Sequence, residues 1–242
     1  MSEPVTRAVL LAAGRGTRLG SLTERFPKPM LTVGGEPMLH RILRGLRAAD
    51  VAEIAIVTGH EAEQLERGTG SGDRWDMRIT YFRQTALDGT ARALSLAREF
   101  LAGERFFMGW GDIVVDPLNY RRVIDAADSA EAVLAVNEVD DPFAGGAVYV
   151  DDAFRVTRLV EKPPRGSSKT HWNNAGLMVL PGTIWPFIDA LQPSPRGEYE
   201  LPQAIATAVA VGMKTRAVPI AGPWFDVGTL ESLRAARAYF GD

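Results

Sequence analysis

Six consecutive apolar residues, Ala8-Val9-Leu10-Leu11-Ala12-Ala13, run straight into Gly14-Arg15-Gly16. A run this short, with no polar alternation, has no face to offer water, so it reads as a strand buried on both sides of a sheet. Such a sheet needs helices above and below it. Residues 36–49 supply one, with Met38, Leu39, Ile42, Leu43 and Leu46 on a single stripe. Strands are expected over 53–58, 79–82 and 105–110, with another helix over 89–101. Strands alternating with helices argue for βαβ units, an α/β class and a mostly parallel sheet as far as about Val136. Beyond it the rhythm changes. Residues 147–150 and 156–160 read as a hairpin turning at Asp151-Asp152. Strands over 174–180 and 214–220 and helices over 184–191, 202–211 and 230–240 follow, Pro202 sitting harmlessly in a first turn. No linker-like stretch or internal repeat divides the chain, which predicts one domain over 1–242 with halves 1–136 and 137–242.

Composition removes several classes of function. With 46% apolar residues in 242, the chain can bury a sizeable core. The 27 Lys and Arg against 30 Asp and Glu leave a net charge of -3, with no basic field for a nucleic-acid backbone. The absence of cysteine excludes disulfides, thiolate metal sites and a thiol nucleophile. The three histidines, His40, His60 and His171, are too scattered for a His-rich metal site. No apolar run approaches the ~18 residues of a membrane span. Residues 9–13 run into glycine rather than a cleavage site, so no signal peptide and a cytoplasmic location are expected.

Chemistry concentrates at a few short motifs. Gly14-Arg15-Gly16-Thr17-Arg18 follows the first strand, where glycines bring backbone N–H groups close to an anion. It is neither a P-loop nor a dinucleotide fingerprint, and a plain tight turn is the competing reading. Pro27-Lys28-Pro29 braces a lysine between two prolines; an extended connector would look the same. Together they suggest a triphosphate clamp. Asp112 closes a strand on the rim where doubly wound sheets bind ligands, and Asp226 lies in a second aromatic-glycine setting. Two carboxylates suit a hard cation such as Mg²⁺, while a cap or turn role remains open for each.

The order of these motifs resembles the sugar-1-phosphate nucleotidylyltransferases. The resemblance rests on Leu11 to Leu19, Phe26-Pro27-Lys28-Pro29-Met30-Leu31, Gly35-Glu36-Pro37-Met38-Leu39, Gly111-Asp112, Glu161-Lys162-Pro163, Asn174-Ala175-Gly176, Gly197 to Leu201 and Trp224 to Thr229. Ser21 departs from a common proline at a loop position. The resemblance implies a Rossmann-like mixed, mostly parallel sheet flanked by helices, the front half binding nucleotide and the rear half sugar phosphate. It implies joining of a nucleoside triphosphate to a sugar 1-phosphate with loss of pyrophosphate, Mg²⁺ held by Asp112 and Asp226, and Arg18, Lys28 and Lys162 as catalytic cations. Leu11, Ala13, Gly14, Gly16, Thr17, Gln84, Gly89 and Thr90 would bind the nucleotide. Gly146, Glu161, Lys162, Asn174, Gly176 and Glu200 would bind the sugar phosphate. Gln84 offers a donor and an acceptor, which suits the imide edge of uracil or thymine and favours UTP or dTTP. Guanylyl or cytidylyl transfer, and a non-catalytic nucleotide-sugar binder, stay open as alternatives. Members often associate into homo-oligomers. No hexapeptide-repeat extension is expected after the helix over 230–240, which points to a compact form.

Overall fold

The computed structural model describes residues 4–241. β1 (Arg7–Leu11) alternates cleanly: Ala8 and Leu10 join one apolar cluster, Val9 and Leu11 the opposite one. It is the buried two-faced strand that its composition demands. A two-residue hairpin of β2 (Thr32–Val33) and β3 (Glu36–Pro37) then leads into α1 (Met38–Ala48). The expected helix over 36–49 therefore starts two residues later, because Glu36 and Pro37 pair as extended backbone with Val33 and Thr32.

β4 (Glu53–Thr58), α2 (Ala62–Thr69), β5 (Arg78–Arg83), α3 (Thr90–Ser95), α4 (Arg98–Leu101), β6 (Phe106–Trp110) and the short β7 (Ile113–Val115) follow. Where one helix is expected over 89–101, two short ones form. Next come α5 (Leu118–Asp125), β8 (Ala132–Glu138), the hairpin β9 (Gly146–Val150) and β10 (Val156–Glu161), β11 (Trp172–Leu180), α6 (Trp185–Asp189), α7 (Leu201–Ala210), β12 (Thr215–Pro219), β13 (Trp224–Asp226) and α8 (Leu230–Phe240).

The main sheet runs β12-β8-β11-β6-β1-β4-β5, and β9-β10 hang from the start of β11. β12 and β8 pair in parallel, as do β6, β1, β4 and β5 in sequence. β11 runs antiparallel to both β8 and β6. α1, α2 and α5 pack on one face, α3, α4, α6 and α7 on the other. A third cluster beneath α8 joins Leu19, Leu31, Val33, Met38, Val114, Val227, Leu233 and Ala236. No helix among the described residues is long and apolar enough to cross a membrane.

Strand order reverses between β1 and β6, since β1 feeds β4 on one side while β6 lies on the other. The carboxyl ends of both strands open there into a crevice, the general ligand position of doubly wound sheets.

Candidate active site

Two cavities share this edge. The smaller, about 280 Å³, is lined by Leu11, Ala12, Gly14, Gly16, Thr17, Arg18, Lys28, Pro29, Gly111, Asp112 and Gly228. The larger, about 590 Å³, takes its walls from the rear half and meets the first at Arg18 and Asp112. Of the eight residues expected on the nucleotide, Leu11, Gly14, Gly16 and Thr17 line the smaller cavity and Thr90 the larger. All six expected on the sugar phosphate line the larger one.

The glycine loop folds as a left-handed turn at Gly16, φ +65°, and its carbonyl accepts from Thr23 Oγ1 at 2.9 Å. A Cβ on Gly16 would sit 3.2 Å from Lys28 Cβ. Glycine is therefore needed here both for backbone freedom and to let the Lys28 stem pack against the loop. Lys28 itself is 6% exposed, so the braced Pro-Lys-Pro segment is part of the interior rather than a surface connector. Its ammonium donates to Asp112 Oδ2 at 2.5 Å.

Asp226 reaches the same spot from the far end of the chain. β13 pairs antiparallel with β7, placing Asp226 opposite Ile113, and Val227 N–H donates to the Asp112 carbonyl at 3.1 Å. The following turn is fixed by α8. Thr229 Oγ1 accepts from Ser232 N–H at 3.2 Å while Ser232 Oγ accepts from Thr229 N–H at 3.0 Å, a reciprocal capping box. The Arg18 guanidinium lies against Gly228, on the flank of Asp226. The Asp226 side chain is exposed and faces the larger cavity. Burial, then the neighbouring Asp112, push its pKa up, while Lys28 and Arg18 pull it back. No group of three or more His, Cys, Asp or Glu that could hold a metal ion forms among the described residues. A cation at Asp112 and Asp226 would therefore draw its remaining ligands from phosphate and water, as Mg²⁺ commonly does.

In the larger cavity Glu161 is half enclosed, its side chain 17% exposed, with Lys162 Nζ at 3.9 Å. Burial, with a contribution from Glu200, raises the Glu161 pKa to about 7 against the pull of Lys162 and Arg196. The folded state thus keeps a proton that an unfolded chain releases near 4.5. Stability contributed by this group falls as pH climbs from about 4.5 to 7. Glu161→Gln removes that loss, so its Tm at pH 8 should exceed the wild type's by about 2–6 °C and match it at pH 4.5. Thermal melts at the two pH values check this.

Glu200 is buried rather than a solvated charge at a helix start. Burial works against its ionised form, but hydrogen bonds from Arg196 and Ser194 hold its pKa below the usual range. Arg196 Nε donates to Glu200 Oε1 at 3.2 Å. Asn174 Oδ1 accepts from Gly176 N–H at 3.1 Å.

Three of the residues expected on the nucleotide lie outside the two linings. Ala13 lines neither cavity; its carbonyl lies 2.7 Å from where a Cβ on Gly59 would stand. Gln84 also lines neither. Its Nε2 donates to Asp88 Oδ1 at 3.1 Å and to Gly89 O at 3.3 Å, bracing its own loop. Gly89 is a backbone requirement of the fold. At φ +117° it lets Asp88 and Ala91 bond the Tyr199 backbone, and a Cβ there would stand 2.4 Å from Tyr199 O. Gly89→Ala combines left-side backbone strain with overpacking and should cost on the order of 3 kcal/mol. A Tm drop of about 6–12 °C would register it.

Sequence reasoning passed over Trp110, Asp141, Arg196, Glu198 and Trp224 as site residues and left Asn173 between a substrate wall and core packing; all six line the larger cavity. Asn173 follows Trp172, which packs edge-on against Phe154, 5.6 Å between centroids, so one of two adjacent residues faces the cavity and the other the core. His60 is held by the Thr23 carbonyl at 2.8 Å and His40 packs against Trp75, and neither lines the two cavities.

A nucleotidyl transferase family model matches residues 7–241. The chain belongs to the nucleotidyl transferase family. Its relatives include the bifunctional protein GlmU of Methanococcus aeolicus, 34% identical over 221 residues, which cover 91% of this chain and 51% of that protein. Glucose-1-phosphate thymidylyltransferase of Streptomyces griseus is 29% identical over 94% of this chain and 64% of its own. The chain thus spans between about half and two thirds of these relatives. Among solved structures, a Bacillus anthracis protein described as a glucose-1-phosphate thymidylyltransferase superposes with a TM-score of 0.88 at 28% identity, covering 98% of this chain and 95% of that one. A UDP-glucose pyrophosphorylase shares the fold, with a TM-score of 0.87 at 20% identity over 98% of each chain. For this nucleotidyl transferase the mixed sheet is thus a family architecture.

Proposed function

We propose that this nucleotidyl transferase joins a nucleoside triphosphate, UTP or dTTP in preference, to a sugar 1-phosphate, giving a nucleotide sugar and pyrophosphate. The observation that carries this reading is the pair of cavities meeting at Arg18 and Asp112. One is floored by a glycine loop and a buried lysine, as a polyphosphate requires. The other is lined by aromatic walls, amides and carboxylates beside one exposed lysine, as a sugar phosphate requires.

A sugar-phosphate oxygen attacks the α-phosphorus in line, a new P–O bond forms, and the bond to pyrophosphate breaks with its electrons on the leaving group. The attacking oxygen is already anionic near neutral pH, so no general base is needed. The barrier is repulsion between two polyanions, and positive charge plus alignment lowers it. Arg18 and Lys28 would hold the leaving pyrophosphate, and Lys162 the attacking phosphate. Gly14, Gly16 and Thr17 would cradle the triphosphate, and Glu161, Asn174 and Glu200 would orient the sugar. Asp112 and Asp226 fit a hard divalent ion such as Mg²⁺, because two adjacent carboxylates, one with a raised pKa, are relieved by a shared cation. When bound, that ion supplies charge neutralisation at the α-phosphate.

Support for the base comes from the relatives rather than from Gln84, whose Nε2 is taken by its own loop: the glucose-1-phosphate thymidylyltransferase of Streptomyces griseus is among them. Pyrophosphate release from four nucleoside triphosphates against a panel of sugar 1-phosphates tests the whole reading. UTP or dTTP should win; GTP turning over about tenfold faster, a difference of roughly 1.4 kcal/mol, would overturn the base assignment.

A further inference from the structure

The glycine loop leaves the end of β1 after Ala13 and returns to the interior at Thr23, and His60 holds it at both of these points. His60 follows β4, which runs beside β1. Its backbone N–H donates to the Ala13 carbonyl at 3.3 Å. Gly59 makes that approach possible, since a Cβ there would stand 2.7 Å from the same oxygen. The His60 ring reaches the other way, to the Thr23 carbonyl 2.8 Å from Nε2. A carbonyl only accepts, so Nε2 carries the hydrogen in that bond.

Thr23 is the buried strut of the loop. Its Oγ1 lies 2.9 Å from the Gly16 carbonyl and 3.3 Å from that of Gly20, which also accepts the Thr23 backbone N–H at 3.1 Å. The Gly16 carbonyl in turn accepts Leu19 N–H at 2.9 Å, closing the turn that carries Thr17 and Arg18. Between Gly14 and Leu22, Leu19 is buried and Gly16 half-buried, while the rest are exposed. Little packing holds such a segment, so its shape depends on these hydrogen bonds. The helix after His60 adds two more ties. Gln64 Nε2 donates to the Arg25 carbonyl at 2.9 Å, and Thr69 Oγ1 donates to Met30 Sδ at 3.7 Å, two residues beyond Lys28. Leu65, fully buried, fixes α2 itself in the core.

A loop already held in its binding shape loses less freedom when an anion arrives, so a tie at its ends strengthens binding without touching the ligand. We propose that His60 is a positioning residue for the nucleoside triphosphate, tying the two ends of the phosphate loop and setting affinity for the triphosphate but not for the sugar phosphate. The proposal rests on the nucleotidyl-transfer reading and adds to it a residue that lines neither cavity.

The test measures binding of the α,β-methylene analogue of the best nucleoside triphosphate by titration calorimetry, with steady-state kinetics in both substrates. Wild type, His60→Phe and His60→Gln are compared. Phe keeps a flat ring and lacks the donor, whereas the Gln amide restores an N–H. His60→Phe should weaken the analogue at least about threefold, the scale of one lost hydrogen bond, while the KM for the sugar 1-phosphate moves less than about twofold. His60→Gln should recover most of that affinity. Thr23→Val, which removes the hydroxyl and keeps the branched shape, should also weaken the analogue. Combined with His60→Phe, it should weaken binding by less than the product of the two separate changes. If His60→Phe does not fold, Gln64→Ala, at the outer tie from α2, carries the test with the same expected split between substrates. A merely structural role predicts a lower Tm with unchanged affinity for the analogue. That result, equal weakening of both substrates, or a Gln variant no better than Phe overturns the proposal and leaves nucleotidyl transfer standing. No pyrophosphate from the wild type with any pairing overturns the underlying reading and the proposal with it.

Discussion

Lys28→Ala should slow nucleotidyl transfer under single-turnover conditions by at least about 10²-fold. The lysine is almost wholly buried, it is braced by two prolines, and its ammonium already bonds Asp112 at the junction of the two cavities. On the proposed reading, removing it takes a preorganised charge from the position where the leaving pyrophosphate would build negative charge. The same change leaves Asp112 beside Asp226 with less compensating charge, so the melting temperature falls as well. The two effects separate on adding a divalent ion: Tm recovers, because the ion replaces the missing cation between the carboxylates, but the rate does not. Rapid-quench measurement at saturating substrates, with Tm followed in parallel, reads both. A variant with a near-normal single-turnover rate removes Lys28 from the chemistry.

The substitution Asp226→Asn has the opposite signature in stability. Asn is close in shape, so the β13–β7 pairing and the α8 capping box remain. Burial and Asp112 raise the Asp226 pKa, so its ionised form costs the folded state stability as pH rises through the carboxylate range. The variant therefore gains Tm at neutral pH relative to the wild type and shows no gain in acid. Turnover nevertheless drops by about 10²–10³-fold, the size expected when a charge-stabilising element is lost. A variant that is more stable and nearly inactive is hard to explain by damage to the fold.

Much of this architecture is legible in the sequence, for physical reasons that differ between elements. The run over 8–13 is unambiguous because a strand buried on both faces must be apolar throughout. The α1 stripe is equally clear, since Leu39, Leu43 and Leu46 are fully buried where a 3.6-residue period places them. β7 and β13 are different. Each has three residues, too few for a period to show, and they meet only because distant segments converge. That convergence brings Asp226 to Asp112, so motif order points to the pair but local pattern does not. Arg196 sits in an exposed turn with no helical or strand signal, and its place in the cavity depends on how α7 docks against β10. Gly89 signals a close backbone approach, as glycines with positive φ do, but nothing local indicates that the approaching backbone is that of Tyr199.

The central claim is that carboxylates from distant parts of the polypeptide hold one divalent ion beside a cationic cradle for polyphosphate. Mn²⁺ binding followed by electron paramagnetic resonance, with the α,β-methylene analogue of UTP present, tests it most directly. The wild type should take up an ion that Asp112→Asn and Asp226→Asn each bind at least about tenfold more weakly, a difference of roughly 1.4 kcal/mol. Both variants binding Mn²⁺ as tightly as the wild type would contradict it.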